Sequence, residues 1–344
     1  MKTPGMVKKC KEKMKIIVCL LQALVFMLPV HLTLKLTTDS NHSISQSLSY
    51  LISDSTVSFI KKIMKNILVP IDFSDASFNA VSYAAFLANA FKVPLTLVHA
   101  YKTVSAFDEI PRAKLPASSK KADTEHEKFL KEEIEGIVRK FTVKIDSMVK
   151  KGNPVTVIKQ IAEKKHSDII VMGMKGKGES NSIFGSTTTA IINETSTPLL
   201  VIPKKASYQT IDTITVASDF GHEKLLTHFP VLANIIERFD PFIQILNVQK
   251  KHSKLTPQFI ANKMSTDLMW DKYNHSFDII EKDDVEEGIS KFLKGHPTDL
   301  LIMIARKRNL ITKVLQPSHT KRMTYQTEIP LLVFHEEDVE NKHK

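Results

Sequence analysis

Cysteine is nearly absent from this chain: two in 344 residues, Cys10 and Cys19. Everything after residue 19 therefore lacks a disulfide framework and a cysteine metal centre. Tryptophan occurs once, as Trp270, and aromatic residues make up 7%. No basic stripe interleaved with aromatics is legible and no nucleic-acid motif is present, so a nucleic-acid partner is not expected. The thirteen histidines are scattered without metal-ligand spacing, and no metal site is expected. His99, closing an apolar strand, reads as a packing residue. There is no G-x-x-x-x-G-K-[ST] sequence, hence no Walker NTPase. No Ser-His-Asp or Cys-His arrangement stands out, and no residue presents itself as a general base. Glycine is scarce too, ten in all, yet four of the ten, Gly173, Gly176, Gly178 and Gly185, fall within thirteen positions.

The formal net charge is +11, but the first 63 residues hold nine lysines and three acids. More than half of the excess belongs to this tail, and the remainder is only mildly basic. Lys8, Lys9, Lys11, Lys13 and Lys15 precede a hydrophobic run from Ile16 to Leu36, interrupted by Gln22, Pro29 and His31. That pattern resembles a signal sequence or a membrane anchor with a basic inner flank. Residues 37–58 are rich in Ser and Thr, like a linker, and Met64 stands directly before the first strand. The expectation is a cytoplasmic protein whose residues 1–63 lie upstream of its natural start. The alternative is an anchor facing the cytoplasm through residues 16–36, in which case a membrane becomes a partner.

The glycine cluster has a context. The apolar run Ile169–Met172 reads as a buried strand, and Ser186–Ile192 reads as a helix opened by a Ser or Thr cap. Strand, glycine-rich loop and helix N-terminus together form an anion site, since glycine lets backbone approach a phosphate and free N–H groups point at it. Upstream, Ile67–Val69 is a buried strand with Asp72 just past its carboxyl end. Ser74 caps a helix with Ala80, Val81, Ala84, Ala85 and Ala88 on one face. Leu95–Ala100 is a second strand, about Glu125 to Phe141 a long charged helix, and Pro154 opens another helix with Val155, Ile158, Ile161 and Ala162 inward. Pro198–Pro203 closes the unit as a last strand. Alternation of strands and helices predicts an α/β fold with a parallel sheet covered on both faces.

These residues carry a resemblance. Ile67-Leu68-Val69-Pro70-Ile71-Asp72-Phe73-Ser74 and Asp168-Ile169-Ile170-Val171-Met172-Gly173-Met174-Lys175-Gly176, continuing to Gly185-Ser186-Thr187, resemble the universal stress protein family. The resemblance implies a five-stranded parallel Rossmann-like fold of the adenine nucleotide alpha hydrolase type. It implies ATP, with Mg2+ in company, held by Pro70, Asp72, Ala100, Gly173, Gly176, Gly185, Ser186 and Thr187. Asp72 would meet the ribose or adenine end, backbone near Ala100 would read the adenine edge, and the glycines with Ser186 and Thr187 would hold the phosphates. The family's nucleotide-binding branch carries Gly, two residues, Gly, nine residues, then Gly-Ser or Gly-Thr; here only eight residues separate Gly176 from Gly185. The HxGH motif of nucleotidyltransferases on related folds is missing. The implied role is a stress-response regulator rather than an enzyme, with a slow ATPase as a lesser reading. A nucleotide-free interaction scaffold of the same fold is the alternative.

The rest of the chain is a second copy. Ile214–Gly221 repeats the first strand with its aspartate, Thr298–Met303 repeats Ser167–Met172, and Ile329–Phe334 repeats Thr197–Ile202. The division is therefore 1–63 tail, 64–206 first domain and 207–344 degenerate second domain, two tandem five-stranded units in one chain. Asp168 and Pro198 lie thirty positions apart and Asp299 and Pro330 thirty-one, which places a one-residue deletion in the first loop. In the second copy Ile304 and Lys307 stand where Gly173 and Gly176 were, and Pro317 replaces Gly185 ahead of Ser318. Proline has no N–H to offer, and side chains crowd a phosphate. Ser318 and Thr320 read as helix caps, and Arg306, Lys307 and Arg308 as a solvated basic loop. At most one nucleotide per chain is expected. The final strands, Leu199–Ile202 and Leu331–Phe334, are apolar edges and are expected to pair with each other. Assembly of the tandem chain into a homodimer is left open.

Overall fold

The computed structural model describes residues 63–101, most of 127–174, 184–220, Leu226, 229–251, 256–305 and 328–335. The expected anchor segment 16–36 and linker 37–58, Gly176, Gly178 and residues 306–320 lie outside the described residues. All of the described residues belong to one compact unit.

Among the described residues ten strands form one sheet: β1 Ile67–Pro70, β2 Leu95–Tyr101, β3 Ile145–Lys151, β4 Ile169–Gly173, β5 Leu199–Ile202, β6 Thr213–Ala217, β7 Phe242–Gln249, β8 His275–Glu281, β9 Leu300–Ala305 and β10 Leu331–His335. Their order is β3-β2-β1-β4-β5-β10-β9-β6-β7-β8. Each half is parallel throughout, and the second half repeats the first in mirror order. The halves meet where β5 and β10 pair antiparallel, Leu331 opposite Val201 and Leu332 opposite Leu200. The expected union of the two final strands is thus present. It removes two apolar edges and makes the sheet continuous.

Among the described residues the helices are α1 Asp75–Phe91, α2, described in part between 127 and 136, α3 Pro154–Lys164, α4 Ser186–Glu194, α5 Pro230–Phe239, α6 Pro257–Trp270 and α7 Val285–Gly295. Proline opens α3, α5 and α6, where its missing N–H costs nothing. The central strands are apolar on both faces, as in β1 with Ile67, Leu68 and Val69 all buried. This is what a sheet covered twice requires. Alternation along each strand then splits the core. Ile67, Val69, Ile214 and Val216 face one layer, with α1 and α5, while Leu68, Ile170, Leu301 and Val333 face the other, with α3, α4 and α7. Both layers run across the β5–β10 seam.

The halves also touch through α1. Phe86 stacks on Phe239 at 5.8 Å, Phe91 meets the same ring edge-on at 6.0 Å, and the Arg238 Nε donates to the Ala90 carbonyl. Each half fastens the amino ends of its strands with one aspartate. Asp168 Oδ2 accepts from the N–H groups of Lys65 and Asn66, and Asp299 Oδ2 from those of Asp212 and Thr213. Sequence reading passes over β3 altogether. It is an edge strand with one buried residue, Val149, so neither an apolar run nor a clean alternation announces it. On α3, Val155 packs against its core layer partly buried, as expected, and Val157 is buried beside Ile158, Ile161 and Ala162.

Candidate functional site

Within the first half the chain leaves β1 for β2 in one direction and reaches β4 in the other, so strand order reverses between β1 and β4. A parallel α/β sheet opens a crevice at the carboxyl ends of such a pair. The described residues among those predicted from the sequence lie at or near these strand ends. Pro70 ends β1 in register with Val98, and Asp72 follows, exposed. Gly173 ends β4, Gly185 and Ser186 begin α4, and half-buried Ala100 lies near the carboxyl end of β2.

The Asp72 turn is built from short polar contacts. Asp72 Oδ1 accepts from Ser74 Oγ at 2.6 Å and from Ser74 N–H at 3.0 Å. Ser74 in turn caps α1: its Oγ accepts from the Ser77 N–H, and Ser77 Oγ accepts from the Ser74 N–H, a reciprocal capping box. Between them Phe73 adopts φ 59°, the left-handed region that a bulky residue rarely occupies. At the first turn of α1, Lys204 lies 2.7 Å from Asp75 and holds that carboxyl below its ordinary value through a hydrogen bond and its charge.

Gly173 has a packing duty that the glycine pattern alone did not reveal. A Cβ there would stand 2.7 Å from the Ala76 carbonyl carbon and 2.8 Å from its oxygen. The missing side chain lets the first turn of α1 lie directly over β4. The loop that follows is pinned at both ends. Met174 N–H donates to Ile202 O, Gly185 N–H donates to Met174 O at 2.8 Å, and Thr188 Oγ1 donates to Gly173 O at 3.0 Å. Phe184, buried, anchors the returning end.

The expected Ser or Thr cap of α4 is corrected. Gly185 is the N-cap, with no side-chain hydrogen bond to the first turn, and Ser186 is already inside the helix. A glycine cap leaves the first-turn N–H groups without a side-chain acceptor. Ser186 is exposed and Thr187 half-buried beside them. A groove of about 360 Å3 lies elsewhere, between α2 and β3 and lined by Lys131, Ile134, Arg139 and Ile145. It is on the edge strand, two strands from β1, and it has no part in this crevice. Among the described residues no cluster of three His, Cys, Asp or Glu side chains could hold a metal, and no helix is long and apolar enough to cross a membrane.

In the second half, strand register places Ile304 where Gly173 stands, because Ile67 pairs Ile169 and Ile214 pairs Leu300. Asp219 keeps the position of Asp72, and Phe220 repeats the left-handed turn at φ 60°.

Comparison with known proteins agrees with this geometry. The family model described as the universal stress protein family matches residues 64–203. A universal stress protein of Methanocaldococcus jannaschii is 30% identical over 165 residues, covering 46% of this chain and 93% of that protein. A universal stress protein of Thermus aquaticus is 29% identical over 139 residues, covering 40% and 98%. The crystal structure of a universal stress protein from Archaeoglobus fulgidus superposes with a TM-score of 0.60 at 16% identity, covering 78% of this chain and 98% of its own. At that identity the likeness speaks to the fold, and it extends over both halves.

Proposed function

The chain belongs to the universal stress protein family, and from that premise we propose that its first half binds an adenine nucleotide, ATP, in the crevice between β1 and β4. The observation that carries this reading is the start of α4, where Gly185 leaves the first helical turn without a side-chain cap. Its N–H groups and the positive end of the helix dipole favour a phosphate there. Ser186 and Thr187 supply hydroxyls at the same point, and Gly173, Gly176 and Gly185 keep side chains out of it. Asp72 faces the ribose or adenine end, and backbone near Pro70 and Ala100 reads the adenine edge. Mg2+ rides on the phosphates rather than on a protein cluster.

We read the protein as a cytoplasmic stress-response regulator, not an enzyme: ATP occupancy alters its contacts with partner proteins. Ser186→Glu tests the site. An acid in the first helical turn favours the helix dipole while it repels a phosphate. The variant should keep its thermal midpoint and lose at least roughly tenfold in ATP affinity by calorimetry, a change of about 1.4 kcal/mol. Unchanged affinity would sink the assignment. The second reading, a nucleotide-free scaffold, is favoured by the loop between Gly176 and Gly185, one residue shorter than the family pattern. Heat extraction of purified protein separates the two: released adenine nucleotide supports the first, its absence the second.

A further inference from the structure

His99, near the carboxyl end of β2, is 7% exposed, and its Nδ1 lies 2.9 Å from the carbonyl oxygen of Ile71. A carbonyl only accepts, so Nδ1 carries the proton in this contact. The ring of Phe73 packs against the imidazole at a tilt of 49°, centroids 4.6 Å apart. The second half repeats the contact with a different side chain. Asn247, 4% exposed, donates from Nδ2 to the carbonyl oxygen of Ser218 at 2.8 Å. The positions are equivalent by backbone alone: Ile71 N–H donates to Val98 O and Ser218 N–H to Leu246 O, the residues just before His99 and Asn247. Both carbonyls precede an aspartate, Asp72 or Asp219, and both turns continue into a left-handed phenylalanine, Phe73 or Phe220.

An imidazole and a carboxamide share little except a buried N–H at the right reach. What the halves hold in common is therefore the bond, not the ring or its basicity. The Ile71 carbonyl and the Asp72 N–H belong to one planar peptide, so fixing that carbonyl fixes the plane from which Asp72 departs. We infer that residue 99 is a positioning residue: His99 latches the Ile71–Asp72 peptide, holds the strained Phe73 turn closed and so aims Asp72 into the nucleotide crevice. Its effect on affinity rests on the nucleotide reading; its effect on the turn does not.

Two variants of the full chain separate the bond from the packing. His99→Asn installs the second half's own solution and keeps a donor; His99→Leu keeps bulk and removes it. Each is measured twice, by ATP calorimetry and by amide hydrogen exchange of the peptide spanning residues 72–78 in the free protein. His99→Leu should weaken ATP roughly tenfold and speed exchange at that peptide, in line with loss of one buried hydrogen bond, with exchange in β5 unchanged. His99→Asn should restore most of both. The latch is overturned if His99→Leu leaves exchange at 72–78 unchanged, or if His99→Asn is as damaging as His99→Leu. Should His99→Leu fail to fold, His99→Gln, whose amide is displaced by one methylene, takes its place. If the native chain binds no ATP, the nucleotide reading fails while the exchange data still decide the latch.

Discussion

The two halves share a frame and part at one strand end. Both fasten their strands with an aspartate at the amino edge, Asp168 and Asp299, and both turn through a left-handed phenylalanine after the first strand. The difference is Gly173 against Ile304. Over Gly173, α1 begins at Asp75, three residues after Asp72. A side chain at that strand end and a helical turn 2.7 Å above it exclude each other. One glycine thus bears both on how close a helix N-terminus comes to the crevice and on how much room a ligand has. The outer helices differ as well. Along α2 and the turn after it, Lys128 pairs with Glu132 and Arg139 with Glu135, whereas α6 exposes Ile260, Met264 and Leu268 along one face.

The largest expected effect comes from breaking the seam that unites the halves. Leu332 is fully buried opposite Leu200. Leu332→Asp strands a carboxylate there and should cost at least about 4 kcal/mol. A native urea midpoint would mean that the seam does not hold the halves together. Next comes the strand-end contrast itself. Gly173→Val drives a side chain into the Ala76 backbone and should cost about 3 kcal/mol. Ile304→Gly, at a half-buried position, should cost only about 1–2 kcal/mol from lost burial and added chain freedom. Equal losses in denaturant unfolding would erase the asymmetry.

Smaller effects sharpen the account of α1. Ser74→Ala removes one side of the capping box and should cost about 1 kcal/mol, read from the same unfolding curves. The Asp75–Lys204 pair is exposed, so its contribution is slight. Its sign is fixed: the folded carboxyl is held below 3.8, so the contribution is complete above that value and fades as pH falls through the lower folded one. Lys204→Ala should lower the pH 7 midpoint only slightly, and that small difference from the native chain should close as pH falls below about 4; a large loss at pH 7 would show that the pair carries more than its exposure allows.

Much of this was legible because buried parallel strands are written as continuous apolar runs. Ile67–Val69, Ile169–Met172 and Leu199–Ile202 needed no partner to be recognised, and two apolar final strands in one chain pointed to their own pairing. The Ser74 cap was equally local. β3 escaped because an edge strand needs little burial. The cap of α4 was misread because Ser186 and Thr187 are good caps by type, yet Gly185 already holds the extended cap geometry, φ −62° and ψ 156°. The packing duty of Gly173 and the latch at His99 depend on residues 97 and 28 positions away in the chain, Ala76 and Ile71, and no local pattern encodes such contacts.

On the nucleotide reading proposed above, the first half keeps a nucleotide site and the second has lost it. Equilibrium titration of the full chain with labelled ATP tests this most directly. One nucleotide per chain, bound at least roughly tenfold more weakly in Ser186→Glu, is the predicted result; two per chain, or none at millimolar ATP, would contradict it.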